Sequence, residues 1–383
     1  MPGYPLTPLL QTLSRLVAIN SINSAYQGGV TEEQVACFVE QFFAARGIET
    51  FRQDVMPGRF NVIARLPGLQ PERRVILEAH MDTVSVAGMT IPPFDPVIKD
   101  GLLYGRGACD TKAGLAAMMH AMAYLHERRI TPPCEVWLAA VVDEEHSFRG
   151  VTKLCEGLEA QAAIVAEPTA LRAVSASKGV LRWKVRTIGK ASHSAKPHLG
   201  NNAIVRMTHV IEAFEREAAR LAAKPHPLLG PATLNIGMIR GGEQINFVPD
   251  FCEIAIDRRL IPGEDPLEVW NEAGRMLDEL RRGHPRLEIE IDAPMIADGA
   301  METGASESVV RTARRVLTSL GLPGEPEGVP YGSDASKLAR QGVPSIIFGP
   351  GSIDRAHAAV EYVECGQVET ALEFYVRFLQ EFQ

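Results

Sequence analysis

The stretch Val75-Ile-Leu-Glu-Ala-His-Met-Asp-Thr-Val84 decides how this chain is read. It opens as an apolar run of the kind a buried parallel strand needs, then breaks at its carboxyl end into a histidine and an aspartate. In open α/β sheets, ligands sit beyond the carboxyl ends of the strands, so His80 and Asp82 emerge where chemistry is usually placed. Their spacing lets His80 offer one ring nitrogen to a metal while Asp82 holds the other ring N–H, fixing the tautomer and raising basicity.

Two more runs repeat the design. Cys134-Glu-Val-Trp-Leu-Ala-Ala-Val-Val142 reads as a core strand and delivers Asp143-Glu144-Glu145 at its end. Three acids placed there repel one another unless cations or hydrogen bonds compensate, which speaks against a plain solvated turn. Ala162-Ala-Ile-Val-Ala-Glu167 ends in a lone acid, stopped by Pro168. Between these runs lies Gly105-Arg-Gly-Ala-Cys-Asp110, followed by an Ala/Met-rich helix at 112–127. The third glycine of a dinucleotide fingerprint is missing and no ribose-binding acid follows. The glycines instead free the backbone to aim Asp110 from a loop, although Asp110 also suits the N-cap of that helix.

Farther out, helices are expected over 5–19 and 31–47, the second opened by Thr31-Glu-Glu-Gln34 as a capping box. Strands are expected at 47–51 and 60–66, and residues 85–100, rich in Pro and Gly, read as a surface loop. From about Ser177 the pattern changes: Val180-Leu-Arg-Trp-Lys-Val-Arg-Thr187 alternates apolar and polar, the mark of an antiparallel sheet with one wet face. The β-α-β-β-α-β order that follows, to about residue 292, is ferredoxin-like. Helix–strand alternation then returns, with Pro344-Ser-Ile-Ile-Phe348 as a strand, Gly349-Pro-Gly351 after it, and a final helix at 366–381. The fold class expected is therefore α/β, with a mixed-sheet domain (1–176 and 293–383) interrupted by an inserted α+β domain (177–292).

Bulk numbers agree with a two-domain globular protein: 383 residues, 46% hydrophobic and 22% charged. The net charge of −8 and the absence of a Lys/Arg cluster argue against a nucleic-acid surface. The first residues have neither a basic nor an apolar leader region, and no apolar run is long enough to span a bilayer, so a cytoplasmic location is expected. The six cysteines form no C-x-x-C pair and read as reduced thiols, so any metal must be held by His and carboxylates.

Collecting the strand-end residues gives His80, Asp110, Glu145, Glu167 and His357. Two imidazoles and three carboxylates suit Zn²⁺ or a similar divalent ion. Five ligands are too many for one open catalytic ion but fit two if one carboxylate bridges, and Asp110 is the choice for the bridge. Two ions about 3.5–4 Å apart can share a hydroxide and stabilise the oxygen that gains charge during attack. Glu144 is the candidate base, although the bare sequence does not divide the tasks of the adjacent glutamates. No Gly-x-Ser-x-Gly elbow supports a serine hydrolase. A catalytically dead binder on the same scaffold would have lost a ligand or the base, and none is lost.

With these residues in hand the chain resembles the M20 family of dinuclear zinc amidohydrolases. The motifs that carry the resemblance are His80-Met-Asp-Thr-Val84, Gly105-Arg-Gly-Ala-Cys-Asp110, Asp143-Glu-Glu145, Glu167-Pro-Thr169, Ser192-His-Ser194 and Ala356-His357, spread over nearly the whole chain. The resemblance implies one ion on His80 and Glu167, another on Glu145 and His357, Asp110 between them, and Glu144 as the base. It implies a cis peptide after Asp110 and a homodimer formed through the inserted domain, which would act as a lid. It implies that His193 reaches the partner subunit's site to stabilise an oxyanion, and that Asn246 and Arg259 hold a substrate carboxylate, with Arg258 as a substitute for Arg259. Gly332-Ser333-Asp334 and Gly349-Pro-Gly351 look like substrate-side loops, the latter also readable as a simple turn. The activity implied is hydrolysis of N-acyl-L-amino acids, or else of dipeptides or C-terminal amino acids, with two Zn²⁺ ions or Co²⁺ or Mn²⁺ in their place. His146-Ser147 and Ala358-Ala359 depart from common family patterns and bear on substrate choice rather than on catalysis.

Overall fold

The computed structural model describes residues 7–383; the first two residues of the helix expected at 5–19 lie outside them. The chain divides into two compact units. One comprises the chain up to Ser175 with Glu302–Glu327 and Ser333–Gln383, and the other Ala176–Met301 with Gly328–Gly332. The return to the first unit thus falls nine residues later than the pattern change at 292 suggests (301 − 292 = 9). The cause is the strand Ile296–Asp298, which pairs with Gly179–Ile188 and keeps the intervening chain in the second unit.

The first unit is built on a mixed sheet. Its strands include β1 (Glu49–Met56), β2 (Arg59–Leu66), β3 (Gln70–His80), β4 (Cys134–Val141), β5 (Ala162–Val165) and β6 (Ser345–Ile347), in the spatial order β1-β2-β4-β3-β5-β6. Strands β4, β3, β5 and β6 run parallel, so their carboxyl ends open on one side. Their sequences are near-continuous Val/Ile/Leu/Ala runs because both faces are covered. The helix α1 (Lys112–Glu127) buries Ala, Met and Leu side chains all round its axis, as a helix in the middle of a core must. Gly114 on α1 lies so close to the chain after β5 that a Cβ would sit 2.6 Å from the Cβ of Ala166.

Two local expectations are corrected. The helix Glu33–Ala44 has no capping box: its N-cap is Glu32, whose carboxylate is buried against Arg59 instead of closing on the helix. The stretch 85–100 is not all loop, since Val97–Lys99 pairs with Leu102–Tyr104, which pairs in turn with Tyr362–Glu364.

The second unit carries an antiparallel sheet in the order Thr233–Gly241, Phe251–Leu260, Gly179–Ile188, Glu288–Ile291, backed by helices Ala203–Ala222 and Pro266–Gly283. Residues along Gly179–Ile188 alternate strictly between buried and half-buried, the period-2 pattern read from the sequence. Leu181, Trp183 and Val185 pack there with Met207, Phe214 and Ile254 as a separate core. Among the described residues no helix is long and apolar enough to cross a membrane.

Candidate functional site

The parallel strands bring the predicted side chains together. His80 ends β3, Asp143–Glu145 follow β4, Glu167 follows β5, and His357 lies beyond β6. Asp110 precedes α1 across a cis peptide to Thr111. It is not the N-cap; that position is Thr111, whose hydroxyl donates to the carbonyl of Ala166 at 3.0 Å.

Asp110 stands between the two histidines. Its Oδ1 is 3.0 Å from Nε2 of His80, and its Oδ2 is 3.2 Å from Nε2 of His357. Nε2 of His357 is also 3.2 Å from the carboxylate of Glu145. Ligand atoms of His80, Asp110 and Glu145 lie within 4.8 Å of one another, and so do those of His80, Glu144 and Glu167.

The electrostatics follow from crowding acids in the interior. Burial pushes the Glu144 carboxyl well above the ordinary range, and the nearby charges of Asp334, Glu145 and Asp110 add to it. Glu167 is raised well above the ordinary range for the same reason, first by burial and then by Asp110 and Glu144. Burial also raises Glu145, against the hydrogen bond from His357. Burial alone would raise Asp110, but hydrogen bonds from both imidazoles hold it well below the usual carboxylate range. His357 is pushed up to about 10 by hydrogen bonds to Asp110 and Glu145. For His80, burial favours the neutral ring, yet the Asp110 hydrogen bond and the charges of Glu144 and Glu167 win and raise it well above its ordinary value.

Asp82 acts differently from the expectation. The ring Nδ1 of His80 is 2.9 Å from the backbone carbonyl of Asp82 and 3.7 Å from its carboxylate. The carboxylate is already engaged: it accepts the Asn23 side-chain amide at 2.7 Å and the backbone N–H groups of Glu144 and Glu145, each at 3.1 Å. The carbonyl therefore orients the ring, while the carboxylate shapes the turn that carries Glu144.

Several residues at this centre gave no signal in the sequence. Glu361, fully buried, accepts the backbone N–H of Cys109 at 2.9 Å and of Asp110 at 3.1 Å, and its other oxygen pairs with Arg106. It thereby fixes the loop that aims Asp110. Tyr26 donates its hydroxyl to the carbonyl of Glu145 at 2.5 Å. Asp143 and His357 sit in left-handed backbone, with φ of 68° and 58°, a conformation that non-glycine residues hold only when their surroundings impose it.

Behind the centre, Glu78 and Asp334 are buried against one another. Burial raises both, Asp334 to about 6 and Glu78 well above the ordinary carboxylate range. A carboxyl whose folded pKa lies above its unfolded one loses relative stability as pH rises between the two values. Asp334→Asn is therefore expected to stabilise the fold by about 1–3 kcal/mol at pH 8, with the gain shrinking as pH falls through about 6; thermal unfolding against pH measures it.

The remaining predicted residues are placed as follows. Gly349 packs on the Glu167 turn so closely that a Cβ would meet the Glu167 carbonyl at 2.6 Å, and its N–H donates to Thr169. Gly351 donates to Gln367 and has φ of 86°. Ser333 is buried, its hydroxyl accepting the N–H of Ala335. Gly332 lies in the second unit against Asp298. In that unit Ser192–His193 pairs with Phe247–Val248, and Ser194 donates to the carbonyl of Asn246, so His193 and Asn246 are neighbours on one small ladder. Arg259 is paired with Asp257, and Arg258 is buried and paired with Glu264.

Two imidazoles and four acids gathered past the carboxyl ends of parallel strands define a metal-dependent hydrolase. The profile of Peptidase family M20/M25/M40 matches residues 76–381, and the chain belongs to that family. It is 32% identical over 364 residues to acetylornithine deacetylase from Myxococcus xanthus, spanning 94% of this chain and 93% of that protein. It is 28% identical over 395 residues to an Aspergillus clavatus protein named as a carboxypeptidase, spanning 96% of this chain and 87% of that one. Aminopeptidase PepT from Bacillus cereus shares its fold, with a TM-score of 0.80 at 23% identity over 98% of both chains.

Proposed function

We propose that the chain hydrolyses the amide bond of N-acyl-L-amino acids, using two divalent ions, Zn²⁺ in the first place. The observation that carries the reading is Asp110, whose two oxygens face two different imidazoles. Four buried or half-buried carboxylates around two histidines carry more negative charge than the protein itself neutralises, and nitrogen and oxygen donors without thiolate suit Zn²⁺, Co²⁺ or Mn²⁺. His80 and Glu167 would hold one ion, Glu145 and His357 the other, with Asp110 shared. When bound, the ions supply Lewis acidity and lower the pKa of water. Glu144 takes the proton of the attacking water and returns it to the leaving nitrogen, a task suited to a carboxyl raised by burial.

The substrate class rests on the likeness to the Myxococcus xanthus deacetylase. The likeness to the carboxypeptidase supports the second reading, a dipeptidase or carboxypeptidase of the same chemistry. Metal-reconstituted enzyme assayed on N-acyl amino acids, dipeptides and C-terminally extended peptides separates them. Release of amine from the acyl series above the peptides is expected, and the reverse order overturns the substrate assignment.

Homodimerisation through the second unit, as a lid, is part of the proposal. Thr233–Gly241 is an edge strand exposing Met238 (49%) and Ile239 (56%), beside a fully exposed Ile245. Long apolar edges of this kind are ordinarily covered. His193 and Asn246 lie near Phe251, whereas Arg259 is eight residues along the same strand (259 − 251 = 8), about 26 Å away at ~3.3 Å per residue. One copy cannot bring all three to one substrate carboxylate and oxyanion, but a partner can supply the first two. Ile239→Glu is expected to yield monomers by light scattering and at least a tenfold loss of kcat/KM, about 1.4 kcal/mol.

A further inference from the structure

We propose that Asn23 is a positioning residue for this hydrolysis: its side-chain amide ties Asp82 to Asp143 and so locks the turn that presents Glu144. The inference rests on the reading of Glu144 as the base. Asn23 is completely buried and touches no open surface, so it acts only through its neighbours. Its Nδ2 donates to Asp82 Oδ2 at 2.7 Å and to Asp143 Oδ1 at 3.0 Å. Its Oδ1 accepts the N–H of Ala25 at 3.0 Å, and its own N–H donates to the carbonyl of Thr83 at 2.9 Å. Every polar group of the side chain is therefore committed.

The two acids it joins grip the Glu144 turn from both sides. Asp82 accepts the backbone N–H of Glu144 on one oxygen and that of Glu145 on the other. Asp143 is the residue before Glu144, held further by Ser147 at 2.6 Å and by Arg59 at 3.1 Å. Tyr26, three residues beyond Asn23, closes the far end through the Glu145 carbonyl. Two buried like charges approach one another only if something between them donates to both. A primary amide is neutral and has two N–H groups on one nitrogen, which meets that demand at this size. Aspartate has the same shape and only accepts; serine has a single donor. Neither can hold both acids, and the turn would relax away from its place.

The test uses full-length, metal-reconstituted enzyme and the best N-acyl amino acid found for it. For Asn23→Asp the expected result is a fall in kcat of about 100-fold with KM within about threefold, because a misplacement of about 1 Å at a reacting group has that effect. Bound metal per chain, measured by mass spectrometry of the ions, should stay at the wild-type value. Asn23→Ser and Tyr26→Phe should lower kcat by smaller factors, at melting temperatures close to wild type. Should Asn23→Asp not fold, these two milder variants decide. Variants with kcat within about threefold of wild type, beside an inactive Glu144→Gln, overturn the clamp while leaving the base in place. A lowered melting temperature with unchanged kcat, or loss of bound metal in step with activity, overturns it as well. An active Glu144→Gln sinks the reading of the base itself.

Discussion

Glu144→Gln is expected to lower kcat by about 10²–10⁴-fold while leaving KM within a few-fold and the metal content intact. Glutamine keeps the size and the hydrogen-bonding reach of the side chain but cannot take a proton. The size of the effect follows from what burial does to this carboxyl. Desolvation comes first, and the like charges of Asp334, Glu145 and Asp110 add to it, against the attraction of His80, so in the metal-free chain it holds a proton more tightly than an exposed glutamate does. A carboxyl with raised proton affinity is a stronger base toward water than an exposed one, and it can return the proton to the leaving amine. The geometry leaves one competing assignment, since an oxygen of Glu144 is also within 4.8 Å of ligand atoms of His80 and Glu167. A ligand role for Glu144 predicts that the glutamine variant binds less metal. Counting ions per chain in the same preparation that gives kcat therefore separates base from ligand, and a variant with wild-type turnover removes Glu144 from the chemistry.

Most of the residues that could be read from the sequence share one property: they follow a run with a clear period. His80, Glu144, Glu145 and Glu167 follow apolar strands, and sheet topology obliges the ends of parallel strands to converge. Asp110 was marked by its glycines. Asn23, Tyr26 and Glu361 sit in irregular segments as single polar residues, and what they touch is decided by distant chain, with separations of 59 for Asn23–Asp82, 119 for Tyr26–Glu145 and 251 for Glu361–Asp110. No local pattern carries that information. The misreading of Asp82 has a similar origin, because an i, i+2 spacing brings both its carbonyl and its carboxylate near the His80 ring. Three donors from other segments claim the carboxylate, and only the folded chain reveals them. The capping box read at Thr31-Glu-Glu-Gln34 fails for a similar reason: the N-cap is Glu32, and its carboxylate is drawn to a buried Arg59 that also pairs with Asp143 from another segment.

Stripping the ions with a chelator should abolish turnover, and adding Zn²⁺, Co²⁺ or Mn²⁺ back should restore it. The loss should exceed that of any single substitution, since the ions supply both the acidity of the nucleophile and the stabilisation of developing charge. Recovery should depend steeply on pH, in a direction set by the histidines. In the metal-free chain His357 holds its proton up to about pH 10 through Asp110 and Glu145, and His80 is raised as well. An imidazole must be neutral to bind a cation, so at neutral pH each ion displaces protons and its affinity rises with pH, up to tenfold per unit for each proton released. The same protons act on stability with the opposite sign. A histidine whose folded pKa exceeds its unfolded one stabilises the metal-free fold below about pH 6.5, and that contribution is lost as pH rises through about 10. Raising pH from 6 to 9 should therefore tighten metal binding while weakening the metal-free protein, so the gap between the two melting temperatures widens. Calorimetric titration in buffers of different ionisation heat counts the protons directly. Metal affinity that is flat across this range, or protons taken up instead of released, would contradict the pairing of His357 with the two carboxylates that the ions are meant to replace.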